Sequence, residues 1–228
     1  MQPYFFPYIG YFQLINAVDK FVIYDNIKFT KKGWINRNRI LVNGKDDYIS
    51  IPIKKDSDFL NVDERYLADI FEDEKIKLLR KIKDAYKKAP YFTDTYALIE
   101  SIITNNEKNL FEFIYNSLKE ICNYLQIETE FIISSTVDID HDLKSENKVI
   151  ALCNATGATS YINPIGGVEL YSKDSFKYNT IELKFIKSKS IVYNQFNNPF
   201  LPWLSIIDVM MFNSKAEIKE MLSSYDLI

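Results

Sequence analysis

Apolar and polar positions change rhythm along the chain, and each change marks a different kind of element. Ile9 to Val18 carries apolar residues at helical spacing, and Phe21-Val22-Ile23-Tyr24 is a short β-branched and aromatic run ending at Asp25. This predicts a helix followed by a buried strand. Arg39 to Val42 and Tyr48 to Ile53 flank Asn43-Gly44-Lys45, a hairpin signature because Asn-Gly tolerates the positive φ of tight turns; Pro52 suits an edge or a strand end. From Glu72 to Leu125 the period becomes helical. Ile76, Leu79, Ile82 and Tyr86 are expected on one face, and Phe111, Ile114, Leu118, Ile121 and Leu125 on another. Strand signals return at Phe131–Ile133, Ser160–Ile162 and Ile181–Ile186. A helix is predicted from Lys148 to Thr156, stopped by Gly157, and Ser214 with Glu217 forms a capping box for the last one.

This order predicts an α/β fold with a Rossmann-like or nucleotidylyltransferase-like sheet and a helical middle layer. Residues 1–228 read as one domain, with 72–128 as a helical subdomain inside it. Neither an internal repeat nor a low-complexity segment is evident.

Composition narrows the function classes. The chain is 47% hydrophobic and 26% charged, with 16 Tyr and 16 Phe, which predicts an ordered globular protein. A net charge of −3 argues against a general nucleic-acid binder. The lysines of 75 to 88 are interspersed with acids and read as a solvated helix face. No apolar run reaches the roughly 18 to 20 residues of a membrane span, and the aromatic start lacks the basic flank of a signal peptide. Cytoplasmic location is therefore expected. Cys122 and Cys153, the two cysteines, and His141, the one histidine, have no metal-ligand spacing, so no metal site is expected. The surplus of aromatic residues makes a homodimer an expectation to test.

Three segments carry candidate chemistry. The first, Gln2 to Tyr11, holds Tyr4, Tyr8 and Gly10 in a Pro- and Gly-containing loop that leads into a helix start, where unpaired amides favour anions. The same residues also suit an aromatic packing layer. Strand, loop, helix and strand in this order resemble nucleotidylyltransferase-like folds, with Tyr8 and Tyr11 standing where a histidine box would hold phosphates. Tyrosine is mostly neutral near pH 7 and cannot replace a protonatable imidazole, which counts against adenylylation. The second segment, Lys31 to Arg39, offers Lys32, Trp34, Arg37 and Arg39 as charge, stacking platform and planar forks for a nucleotide-sugar. An Asn-rich turn with exposed arginines is the alternative. The third places Asn163 and Glu169 around Gly166-Gly167 after a strand, where backbone can approach a ligand. A structural Gly-Gly turn is its alternative.

For acid and base work Asp25 comes first, at a strand end, and Glu169 second. Cys153 admits a thioester mechanism, although its apolar helix face suits a packing cysteine. His141, among Asp138, Asp140 and Asp142, reads as a surface imidazolium.

The strings QPYFFPYIGYFQLI (2–15), DKFVIYDNIKFTKKGWINRNRI (19–40), KKAPYF (87–92), INPIGGVELY (162–171) and LSIIDVMMFN (204–213) resemble the WbqC-like family, found in gene clusters for O-antigen and related bacterial surface sugars. The resemblance runs from Gln2 to Ile228. It implies a short first strand ahead of Gln2-Pro3 and an association with amino-sugar decoration in lipopolysaccharide biosynthesis. The implied activity is transfer of an acyl or aminoacyl group, such as glycyl, onto the amine of a nucleotide-linked amino deoxysugar. Asp25 would then act as base and Asn36 and Asn38 as oxyanion donors. No bound cofactor is implied; an acyl carrier protein, meeting the basic helix of 75 to 88, or an ATP-derived donor would supply the group. The alternatives are an acyl-activating, nucleotide-dependent enzyme and a non-catalytic sugar-nucleotide binding or assembly subunit.

Overall fold

A computed structural model describes residues 1–228. Helices and strands alternate in the expected α/β manner, with the strands hydrogen-bonded into three small sheets. Helix α1 (Ile9–Asn16) leads into β1 (Lys20–Ile23), which pairs in parallel with β4 (Glu130–Ile133). The hairpin of β2 (Arg37–Val42) and β3 (Lys45–Ser50) turns on Asn43 and Gly44 alone, with φ of 51° and 78°. Both central residues have the positive φ that matches the twist of the flanking strands.

Three helices fill the middle of the chain: α2 (Phe71–Tyr86), α3 (Phe92–Ile103) and α4 (Leu110–Leu125). Asn109 caps α4 by accepting the Glu112 amide, and Gln126 closes it in the left-handed region at φ 59°. All five apolar residues expected on the inner face of α4 are buried. In α2 the expectation needs correcting. Ile76 is 63% exposed, whereas Lys75, one step of about 100° round the helix, is buried. The lysine reaches inward because its ammonium finds the Asn105 carbonyl at 2.9 Å and both Glu72 carboxylate oxygens at 3.1 Å. The outer lysines of α2 are neutralised in pairs, Lys77 with Glu74 and Lys87 with Asp84, while Lys81 meets Asp47 of β3.

After α5 (Ser145–Ala155) the chain forms β5 (Ser160–Pro164), a 3-10 turn over Ile165–Leu170, α6 (Lys173–Tyr178) and β6 (Glu182–Ser188). Strands β5 and β6 are parallel, and β7 (Tyr225–Leu227) pairs antiparallel on the far side of β6. Between β6 and β7 come α7 (Ile206–Phe212) and α8 (Lys215–Leu222), the latter started by the Ser214 and Glu217 capping box.

The core has a large and a small part. The large one joins α1, the hairpin, α2 to α4 and α7 through Phe5, Phe6, Phe12, Phe71, Phe111 and Phe113. The small one is Val149, Ile150, Cys153, Phe176, Ile181, Leu183 and Phe185. An apolar cleft of about 330 Å³ lies between them, lined by β1, β5 and α5. Met1 sits at its wall: its carbonyl accepts the Tyr24 amide at 2.8 Å and its amine donates to the Val22 carbonyl at 2.6 Å. Bonds to the residues before and after Ile23 follow the pattern of a parallel ladder.

Candidate functional site

The aromatic N-terminal segment divides its side chains between two tasks. Phe5 and Phe6 are fully buried, and their backbone is fixed at many points. The Phe5 amide donates to the carbonyls of Trp34 and Ile35, the Ser205 hydroxyl donates to the Phe6 carbonyl at 2.8 Å, and the Ile206 amide donates to that of Pro7. Phe6 is held at φ 43°, a region costly for a side chain with a Cβ. Tyr4 and Tyr8 remain half-buried, and burial raises both phenol pKa values. Gln2 accepts the Tyr4 hydroxyl through its side chain and that of Tyr11 through its carbonyl. The packing-layer and ligand-loop readings therefore each describe part of the segment.

Tyr8 starts α1 without a side-chain cap, so the Ile9 and Gly10 amides lack protein partners, while that of Tyr11 donates to the Tyr8 carbonyl. Gly10 lets the Tyr8 ring lie against the helix start, since a Cβ would run into that ring. Above it opens a cleft of about 280 Å³ whose walls include Tyr8, Gly10, Tyr193, Phe200, Trp203 and the segment 188–192. Trp203 is 65% exposed, and its ring meets that of Tyr8 edge-on at 5.8 Å. Aromatic walls over free amides suit a flat ring joined to an anion. Lys189, also in the wall, is paired with Asp226 at 3.0 Å.

A second group lies at the ends of β1 and β4. Asp25 is only 4% exposed; its Oδ1 accepts the Ser135 amide at 3.0 Å, and its carbonyl accepts the Asp63 amide at 3.2 Å. Burial, then the Asp25 and Glu64 charges, raise the pKa of Asp63, and burial with the Glu107 and Asp25 charges raises that of Glu112. Beside Asp25, Asn26 Nδ2 lies 3.1 Å from His141 Nδ1, and the other ring nitrogen is 3.0 Å from the Val137 carbonyl. His141 is thus half-buried and engaged at both nitrogens, not a free surface side chain. Lys148 donates to the His141 carbonyl at 3.2 Å and stands over the Tyr24 ring. Three buried oxygens here have no partner: Asn26 Oδ1, Ser134 Oγ and Asp63 Oδ1.

The polar block at 31–39 forms a surface platform. Trp34 stacks on Tyr48 at 6.4 Å, with the Arg37 guanidinium over both rings and that of Arg39 over Trp34. Arg37 also donates to the carbonyls of Gly33 and Lys32, and Arg39 pairs with Asp46 and reaches the Trp203 carbonyl. Lys32 is exposed. Asn36 and Asn38 do not point amides at a ligand: Asn36 Nδ2 donates to the Ile51 carbonyl, and Asn38 Nδ2 to those of Phe5 and Phe6. They hold the hairpin and the aromatic loop in place.

The Gly-Gly segment follows β5 as expected, in a 3-10 turn. Gly167 is required by Asn163, whose amide fills the space a Cβ would need, while Gly166 faces open space. Asn163 Oδ1 accepts the Tyr161 hydroxyl at 3.2 Å, and Glu169 is exposed. Cys153 is buried on α5 in the small core, and burial pushes its thiol up to about 11, so the thiolate a nucleophile needs is scarce. Trp203, Asn26, His141 and Ser134 were not expected as site residues. Only Trp203 carries a sequence signal, a large aromatic after Pro202; the others are brought in by the pairing of β1 with β4.

The model of the WbqC-like protein family matches residues 2–220. The chain is also similar to a protein of Mycobacterium tuberculosis (strain H37Rv) bearing the name uncharacterized protein Rv1507c. The two are 29% identical over 224 residues, covering 97% of this chain and 95% of that protein. No solved structure matches the chain.

Proposed function

Because the chain belongs to the WbqC-like protein family, we propose that it transfers an acyl or aminoacyl group, such as glycyl, onto the amine of a nucleotide-linked amino deoxysugar. The observation that carries this reading is the uncapped start of α1 beneath the Tyr8 and Trp203 rings. Free amides favour the diphosphate of such a nucleotide-sugar, and the rings favour its base. Phosphate and base are shared by nucleotide-sugars and by ATP, but the neutral phenols of Tyr8 and Tyr11 bring no positive charge to a leaving pyrophosphate, and the Tyr11 hydroxyl already donates to the Gln2 carbonyl.

In the transfer itself the neutral sugar amine attacks the acyl carbonyl of a thioester donor. The carbon–nitrogen bond forms, the carbon–sulfur bond breaks, and the thiolate leaves. The amine's proton passes to Asp25 and from there to the thiolate. An enzyme-bound acyl group on Cys153 is disfavoured by its burial and raised thiol, so the acyl group goes directly from donor to sugar. Incubation with a panel of dTDP-linked 3-amino and 4-amino deoxysugars and acyl thioester donors, read by product mass, tests this. An acylated sugar is expected; none across the panel overturns the reading.

A further inference from the structure

Asn26 follows the carboxylate at the end of β1, and its side chain has one satisfied and one unsatisfied end. Nδ2 is 3.1 Å from His141 Nδ1, while Oδ1 is buried with no partner. A buried polar atom left unpaired costs about 1–3 kcal/mol, so its retention calls for a donor. We propose that Asn26 Oδ1 is the acceptor that recognises an N–H or O–H donor of the substrate, and that His141 is the positioning residue that keeps the oxygen turned toward it.

The ring fixes the amide. His141 Nε2 lies 3.0 Å from the Val137 carbonyl, which can only accept, so Nε2 carries a hydrogen; Asn26 Nδ2, which can only donate, faces Nδ1, so Nδ1 presents its lone pair. That lone pair accepts from Asn26 Nδ2; the opposite amide orientation would set two lone pairs face to face. Oδ1 is therefore directed away from the imidazole.

A second atom points the same way. Ser134, fully buried, has a hydroxyl without a partner, and it stands one residue past the end of β4, as Asn26 stands three past the end of β1. The register pairs Ile23 with Ile133, so both orphans lie past the carboxyl ends of adjacent parallel strands, where ligands of α/β sheets collect. Together with Asp25 they form an acceptor-rich corner that suits an amine or a hydroxylated carbon rather than a phosphate or carboxylate. Resting on the proposed acyl transfer, the donor is the sugar's amine or a hydroxyl beside it.

Two measurements test the proposal. His141 is the one histidine, so nitrogen-15 NMR of the whole protein reports its ring alone; the Nε2–H tautomer is expected at neutral pH, and an Nδ1–H tautomer overturns the positioning role. Binding of dTDP-4-amino-4,6-dideoxyglucose is then compared with that of the 4-keto analogue, which offers no donor at that carbon. Wild type is expected to prefer the amine, and His141→Phe and Asn26→Ala, checked for unchanged melting, to reduce the preference roughly tenfold, the worth of one buried hydrogen bond. A preference unchanged in both variants overturns the proposal. Binding of neither sugar by wild type overturns the transfer reading instead, while the tautomer still decides the role of His141.

Discussion

Asn38 and Phe6 lie 32 residues apart, yet the Asn38 amide nitrogen is 2.8 Å from the Phe6 carbonyl and 3.0 Å from that of Phe5. A single side chain from β2 thereby secures the two most deeply buried residues of the aromatic loop. Asn38→Leu removes both bonds and leaves buried carbonyls short of donors. A loss of about 1–3 kcal/mol in stability is expected by urea denaturation. Wild-type stability in this variant would show that the loop is held by packing alone.

Asp208 on α7 is fully buried and accepts from the Tyr86 and Tyr193 hydroxyls at 2.8 and 2.6 Å and from Gln195 Nε2 at 2.6 Å. Burial nevertheless raises its pKa, the three hydrogen bonds opposing it. The folded state thus binds a proton more readily than the unfolded chain, and this group's contribution falls as pH rises from its ordinary value of 3.8 through the raised one. Asp208→Asn is expected to lose that slope in stability-versus-pH curves. It should also cost at least about 2 kcal/mol at neutral pH, because an amide cannot accept from all three donors. An unchanged slope would locate the titration elsewhere.

Cys153, with its thiol pushed up to about 11, should alkylate slowly with iodoacetamide at pH 8 in the folded protein and quickly in urea. Cys153→Ala is expected to keep acyl transfer at the wild-type rate. Loss of turnover with intact folding would restore a covalent intermediate.

Gly10→Ala places a methyl group against the Tyr8 ring and forces that ring off the start of α1. The backbone change alone favours the helix by up to about 1 kcal/mol. The expected signature is therefore opposed: an equal or higher melting temperature, with roughly tenfold weaker binding of a dTDP-sugar, the loss of about one good contact. Unaltered affinity would place the nucleotide outside this cleft.

The sequence makes the α/β order legible wherever one local rule suffices. Asn43-Gly44 specifies its turn through φ, Ser214 and Glu217 specify a helix start, and the five apolar residues of α4 repeat at the helical period. It misleads where a distant partner decides. Ile76 and Lys75 exchange burial because Asn105 and Glu72 satisfy the ammonium. Asn36 and Asn38 look like free recognition groups until their acceptors at Ile51, Phe5 and Phe6 are known. The Asn26 and His141 contact joins residues 115 apart and leaves no trace in spacing.

The cleft between β1 and β5 has a mechanical consequence. It leaves α5, β5, α6 and the first part of β6 clustered around their own small apolar centre, with fewer buried side chains to break when that lobe moves. Subglobal opening should begin at this seam. In hydrogen–deuterium exchange, amides of α5 and β5 should lose protection before those of α4 and β2, and the 3-10 turn bearing Gly167 should travel with them. The molecule would then breathe along one line, and a ligand reaching from the loops after β1 to those after β5 would close it.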